Sequence, residues 1–221
     1  MKTVVFDLDG TLADTSADLI SAANACFRRL GHGDLLHPEA DKLTAFHGGR
    51  AMLRLGFSRL SNEWQESEID AEFPYLLESY KENIDCETEL YPGARTGVER
   101  MIANGYSCAI CTNKPEGLAR ELLRRLDVLE LFGALIGADT LPRRKPDPMP
   151  YFAAVEAAGG TVSKSCLIGD TETDVQTARA VGVPIILVRF GPEGDAIKRL
   201  APDALLDGYD DLHTVVATLI G

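Results

Sequence analysis

The chain has 221 residues, more than the ~150 of an average domain, so one domain carrying an insertion is expected. Apolar residues make up 45% and charged residues 25%, the balance of an ordinary soluble globular protein rather than a disordered or fibrous one. The net charge is −12, and so acidic a chain is repelled by phosphate backbones and anionic lipid, which argues against nucleic-acid and membrane partners.

The chain opens with Met1-Lys2-Thr3-Val4-Val5-Phe6-Asp7, a short apolar run closed by a carboxylate. A signal peptide's apolar stretch does not fit there, so a cytoplasmic location is expected, and five dispersed cysteines suit reduced thiols. Thr3 to Phe6 reads as the first strand. Thr15-Ser16-Ala17-Asp18 follows with a capping-box pattern and is expected to open a helix running toward Leu30. From about Thr15 to Glu87 the periodicity is helical, with no convincing strand. Within it, Ile69, Phe73, Leu76, Leu77, Tyr80 and Ile84 recur at helical spacing, and Pro74 is expected to kink or split that helix.

Tyr91-Pro92-Gly93 reads as a turn, after which strand and helix patterns alternate. The strands are expected at Tyr106 to Cys111, Ala134 to Gly137, Cys166 to Ile168, Pro184 to Val188 and Ala204 to Leu206. Helices are expected at Ala94 to Asn104 and Thr173 to Val181, closed by Gly105 and Gly182. This alternation predicts an α/β fold, a Rossmann-like parallel sheet with an inserted all-helical domain. The core is assigned residues 1–14 and 89–221, and the helical insert residues 15–88. Cys108 and Cys111 lie three apart on one predicted strand, hence on opposite faces, and read as core thiols rather than a redox or zinc pair.

Open α/β sheets bind ligands beyond the carboxyl ends of their strands, so polar residues directly after apolar runs are the candidates for function. Four places qualify. Asp7 and Asp9, one residue apart with Gly10 allowing a sharp turn, suit a hard cation; a calcium loop is ruled out because its sixth and twelfth positions hold Leu12 and Asp18. Thr112-Asn113-Lys114 offers a hydroxyl and backbone N–H groups at a helix start, a phosphate grip or an ordinary cap. Lys145 lies in a proline-stiffened loop. Asp170 and Asp174 stand where a loop enters a helix, as carboxylates that can face the same side or as simple N-terminal caps.

In this order, acid pair, hydroxyl, lysine and second acid pair, the sequence resembles the haloacid dehalogenase superfamily phosphatases from residue 7 to about 191. The matching motifs are DLDGT, Thr112, Lys145 and GDTETD. The insert resembles the helical cap of the subgroup that includes phosphoglycolate phosphatases and β-phosphoglucomutases, and GADTLPRRKPDP is more like the former. The resemblance implies Mg²⁺-dependent hydrolysis of a small phosphorylated metabolite, with phosphoglycolate favoured. By the same resemblance Asp7 is the nucleophile that becomes an aspartyl phosphate, and Asp9 the general acid and base. Thr112, the Asn113 N–H and Lys145 would bind phosphate oxygens. Mg²⁺ would take the Asp7 carboxylate, the Asp9 carbonyl and Asp170, with Asp174 holding a metal water or Lys145.

An aspartate at position 9 separates the chain from the dehalogenases, which typically lack an acid there. A phosphosugar mutase and a non-catalytic phosphometabolite-binding protein are the alternative readings. In the insert, Phe46-His47-Gly48-Gly49-Arg50-Ala51 places two glycines before a predicted helix. Arg50 and His47 there are candidates for a substrate carboxylate, against the plainer reading of a helix–helix turn. A monomer or homodimer is expected.

Overall fold

All four residues of Thr3-Val4-Val5-Phe6 are buried, the pattern of a strand covered on both faces, as parallel sheets require. The computed structural model describes residues 1–60 and 63–221. It divides into two compact units, Met1–Asp14 with Leu90–Gly221, and Thr15–Glu89. The strands are β1 (Thr3–Phe6), β2 (Ala13–Asp14), β3 (Glu89–Leu90), β4 (Ser107–Cys111), β5 (Ala134–Ile136), β6 (Ser165–Gly169), β7 (Ile185–Val188) and β8 (Ala204–Leu206). The helices are α1 (Ser16–Arg29), α2 (Lys42–Ala45), α3 (Gly49–Leu60), α4 (Glu66–Glu82), α5 (Ala94–Ala103), α6 (Glu116–Arg125), α7 (Met149–Ala157), α8 (Glu172–Val181) and α9 (Leu212–Ile220).

The first unit is built on a six-stranded parallel sheet in the order β5-β4-β1-β6-β7-β8. After β1 the chain pairs β4 and then β5 on one side, and later returns with β6 to β1's other edge. The strand order therefore reverses at β1, and a crevice opens at the carboxyl ends of β4, β1 and β6. Register brings Phe6 level with Ile110 on one side and Ile168 on the other. α7 and α8 cover one face of the sheet, α5 and α9 the other.

Strand side chains alternate between the two layers. Val5, Ala109, Cys111, Leu167, Ile185 and Leu187 join one core with Tyr151, Val155, Val175 and Ala178 from α7 and α8. Cys108 falls outside that cluster, on the opposite face from Cys111, and all five cysteines are free thiols. Burying a Val, Ile or Leu side chain contributes about 1.5–3 kcal/mol, so this double layer carries the loops above it as a rigid frame.

In the second unit α1 packs on α2, α3 and α4. Phe27 and Phe57 meet edge to face at 5.4 Å, and Gly56 lies so close to the Phe27 ring that a Cβ there would fall 2.1 Å from it. The helix expected from Thr15 toward Leu30 is present as α1, but the capping box itself does not form. Thr15 makes no side-chain capping bond; the Asp18 carboxylate instead accepts from Glu87 N–H (3.0 Å), Thr88 N–H (2.9 Å) and Thr88 Oγ1 (2.8 Å). Those distant donors need an acceptor once buried, and they outcompete the local box. Nor does Pro74 split its helix: α4 continues through it, because both Pro74 and Asp70, whose carbonyl loses its donor, face solvent. Among the described residues, no helix is long and apolar enough to cross a membrane.

Candidate active site

Asp7 stands one residue beyond β1, its N–H still donating to the Ile168 carbonyl at 2.9 Å. The chain then wraps around one acceptor: the N–H groups of Thr11, Leu12 and Ala13 all point to the Leu8 carbonyl. So tight a turn needs the left-handed backbone of Gly10, φ 79°. The turn is tied down from outside. The buried Tyr209 hydroxyl donates to the Thr11 carbonyl at 2.8 Å, and Thr11 Oγ1 donates to Asp170 Oδ1 at 2.9 Å.

Asp170 and Asp174 come from the other side of β1, where β6 runs into α8. Thr171 and Asp174 cap that helix reciprocally: Asp174 Oδ2 accepts from Thr171 Oγ1 (2.7 Å), Thr171 N–H (3.1 Å) and Asp170 N–H (3.3 Å). Its Oδ1 accepts from Lys145 Nζ at 2.6 Å. Both oxygens are thus engaged, which fixes Asp174 as a strut. Gly169 leaves it room, since a Cβ at that position would lie 2.4 Å from Asp174 Cγ.

Lys145, buried, also approaches Asp7 Oδ1 to 3.1 Å, an ion pair without hydrogen-bond alignment. On the β4 side, Thr112 is buried and its Oγ1 accepts from the Lys114 N–H at 3.2 Å. The Asn113 amide donates to the Lys145 carbonyl at 3.0 Å, joining two loops of the crevice. Asp9 Oδ1 receives Lys114 Nζ at 2.7 Å.

Burial pushes the Asp7 carboxyl up to about 6; Lys145 opposes the rise, while Asp174 and Asp9 add to it. Burial likewise carries Asp170 well above the usual carboxylate range, with Asp7 and Asp174 reinforcing it. For Lys145, burial favours the neutral amine, but Asp174 and Asp7 outweigh it and keep the ammonium protonated. Four acids, Asp7, Asp9, Asp170 and Asp174, face two ammonium groups, Lys114 and Lys145. With all ionised, two negative charges remain, the charge one divalent cation cancels.

The donor set fits such a cation. Asp7, Asp170 and Asp174 each offer an oxygen within 4.8 Å of the others, all buried. Asp170 Oδ2 makes no hydrogen bond although buried, a costly condition that an oxygen-seeking cation relieves; Asp7 Oδ1 makes none either, though the Lys145 ammonium lies 3.1 Å away. Since Asp174 is already bound on both sides, Asp7 and Asp170 are the carboxylates with oxygens to give.

The first unit therefore gathers Asp7, Asp9, Thr112, Asn113, Lys145, Asp170 and Asp174 around the ends of β1, β4 and β6. His47 and Arg50 lie in the helical unit. His47 is exposed in the turn before α3. Arg50, in the first turn of α3, pairs with Asp70 at 2.7 Å and lies 4.7 Å over the Phe73 ring. Sequence reasoning gave no role to Lys114, Thr11 or Tyr209. The signal for Lys114 was its place two residues after Thr112 at a strand end; Tyr209 had none, being 198 residues from its partner.

The haloacid dehalogenase-like hydrolase family model matches residues 4–188. Over 216 residues the chain is 33% identical to a phosphoglycolate phosphatase of Mesorhizobium japonicum, spanning 97% of this chain and 94% of that one. A phosphoglycolate phosphatase of Agrobacterium fabrum is 34% identical over 205 residues, 93% of this chain and 88% of its own. The crystal structure of a Haemophilus somnus protein, described as a predicted phosphoglycolate phosphatase, shares the fold with a TM-score of 0.86 at 24% identity over 97% of each chain. Strand order, the acids and lysines at the carboxyl ends of the central strands and the span of these matches agree: the chain belongs to the haloacid dehalogenase-like hydrolase family.

Proposed function

We propose that the protein is a Mg²⁺-dependent phosphatase of small phosphomonoesters, with 2-phosphoglycolate as its favoured substrate. The observation that carries this reading is the buried Asp7 carboxylate held against Lys145 at the switch point of the sheet, with a second acid, Asp9, two residues on. The curated relatives' names support the substrate.

In this mechanism an Asp7 carboxylate oxygen attacks phosphorus while the ester P–O bond breaks, and the departing alkoxide takes a proton from Asp9. Water then attacks the phosphorus of the aspartyl phosphate, giving a proton to Asp9, and the P–O bond to Asp7 breaks to restore the carboxylate. Thr112, the Asn113 N–H and Lys145 bind the non-bridging oxygens, whose charge must be stabilised as transfer proceeds. Asp174 acts on Lys145 by fixing its ammonium. The Asp7 and Asp170 carboxylates, with the Asp9 carbonyl, would hold the Mg²⁺. When bound, that ion supplies positive charge that offsets repulsion between an anionic nucleophile and an anionic phosphoryl group.

Selectivity is assigned to the helical unit: Arg50 would exchange Asp70 for the carboxylate of the substrate, with His47 beside it. A phosphate-release panel with Mg²⁺ tests the reading. The expected result is highest kcat/KM on phosphoglycolate, with Arg50→Ala lowering that value more than the value for an uncharged alkyl phosphate. No phosphate release from any monoester would contradict it.

A further inference from the structure

Lys114 is a second buried lysine at the crevice, and neither the metal set nor the phosphate grip uses it. Its side chain is 3% exposed and its Nζ sits 2.7 Å from Asp9 Oδ1, whereas the Asp9 side chain is 19% exposed. Its backbone is fixed at both ends: the N–H donates to Thr112 Oγ1 at 3.2 Å and the carbonyl accepts from Ala138 N–H at 2.9 Å. The next turn is locked too, the Glu116 N–H donating to Asp139 Oδ1 at 2.7 Å and Thr140 Oγ1 to Glu116 Oε2 at 2.7 Å. The backbone from which the buried ammonium projects is therefore fixed.

We propose that Lys114 is a positioning residue for Asp9, holding one carboxylate oxygen so that the other is aimed at the ester oxygen that leaves. This rests on the phosphatase reading and adds to it a residue that acts through the general acid. Losing this contact removes a strong charge-assisted bond from a partly exposed carboxylate, and proton transfer is sensitive to the misplacement that follows. Lys145, by contrast, holds Asp7 and Asp174, so each proposed reacting carboxylate has its own lysine.

The consequence is selective. An alkoxide such as glycolate needs a proton as it departs; 4-nitrophenolate, a far weaker base, does not. kcat/KM reports the first transfer step alone, so the two substrates isolate Asp9's acid role. With the Mg²⁺-loaded protein, Lys114→Met should lower kcat/KM for phosphoglycolate by roughly 30-fold or more and that for 4-nitrophenyl phosphate by less than about 3-fold. In an Asp9→Asn background, Lys114→Met should add no further loss.

Equal losses on both substrates, an additive loss in the Asp9→Asn background, or no loss at all would overturn the proposal. Lys114→Gln serves as the second variant should the methionine protein fail to fold. A crystal structure of either variant reads the positioning without turnover: Asp9 in a new rotamer or several supports it, and Asp9 unmoved overturns it. That readout stands even if the wild-type protein cleaves neither ester, a result that would sink the phosphatase reading instead.

Discussion

The ion pairs at the crevice differ in kind from those of the helical unit, although the α/β unit also carries exposed pairs elsewhere, such as Arg95 with Asp127 and Lys198 with Asp195. In the α/β unit, Lys145 with Asp7 and Asp174, and Lys114 with Asp9, bury their ammonium groups almost completely and draw their geometry from loops fixed at strand ends. In the helical unit the pairs are outward: Arg50 with Asp70 and Arg54 with Glu66 are each more than a third exposed on both sides, and even Arg59, on the buried Asp41, is one-third exposed. Buried pairs are costly to break and set positions to fractions of an ångström; exposed pairs are screened and exchange partners readily. The first arrangement suits fixed chemistry, and the second is compatible with the substrate-selecting role proposed for Arg50.

The sharpest way to break this contrast is at its centre. Asp7→Asn keeps the size of the side chain but removes the attacking charge, and phosphate release should fall at least ~1000-fold while circular dichroism stays native. Gly169→Ala tests the strut: a methyl 2.4 Å from Asp174 Cγ must displace that carboxylate. It should cost about 1–3 kcal/mol in denaturant unfolding, as overpacking does, and loosen Lys145 with it.

The pH dependence of cation binding follows from the raised carboxyls. Asp7, at about 6, and Asp170, raised well above the usual carboxylate range by burial, hold protons that a cation must displace. A raised carboxyl binds its proton at higher pH than usual, so affinity for Mg²⁺ is expected to rise with pH and to fall about tenfold per unit, for each proton displaced, as pH drops below that value. Calorimetric titration between pH 5 and 8 would read it, and a flat profile would contradict it.

These effects rest on features of unequal visibility in the sequence. Apolar runs closed by polar residues locate β1, β4 and β6 within a residue or two, since both are local patterns. Asp7, Thr112 and Asp170 stand out for the same reason, since each directly follows a strand; Lys145, farther along the loop after β5, stands out by its flanking prolines. What local pattern does not encode is which side chain meets which across the fold. The Lys114–Asp9 pair spans 105 residues, and the Tyr209 bond to Thr11 spans 198. The capping-box spelling marks the start of α1 correctly, but it does not reveal that Asp18 serves the N–H groups of Glu87 and Thr88, 69 and 70 residues away, instead of closing the box.

Smaller perturbations sharpen the same comparison. Tyr209→Phe deletes one buried hydroxyl and should cost about 1 kcal/mol of stability, with a severalfold loss of Mg²⁺ affinity transmitted through Thr11 to Asp170. Arg54→Ala, in an exposed pair of the helical unit, should leave the melting temperature within experimental scatter. A loss there as large as that from Tyr209→Phe would erase the distinction between the crevice and the helical unit.

The most direct measurement is acid-quenched labelling with [³²P]phosphoglycolate during steady-state turnover, followed by peptide mapping. The mechanism predicts an acid-stable, hydroxylamine-labile label on the peptide carrying Asp7, absent from the Asp7→Asn protein. Turnover at the normal rate with no label on that peptide, in a quench fast enough to outrun hydrolysis, would contradict it.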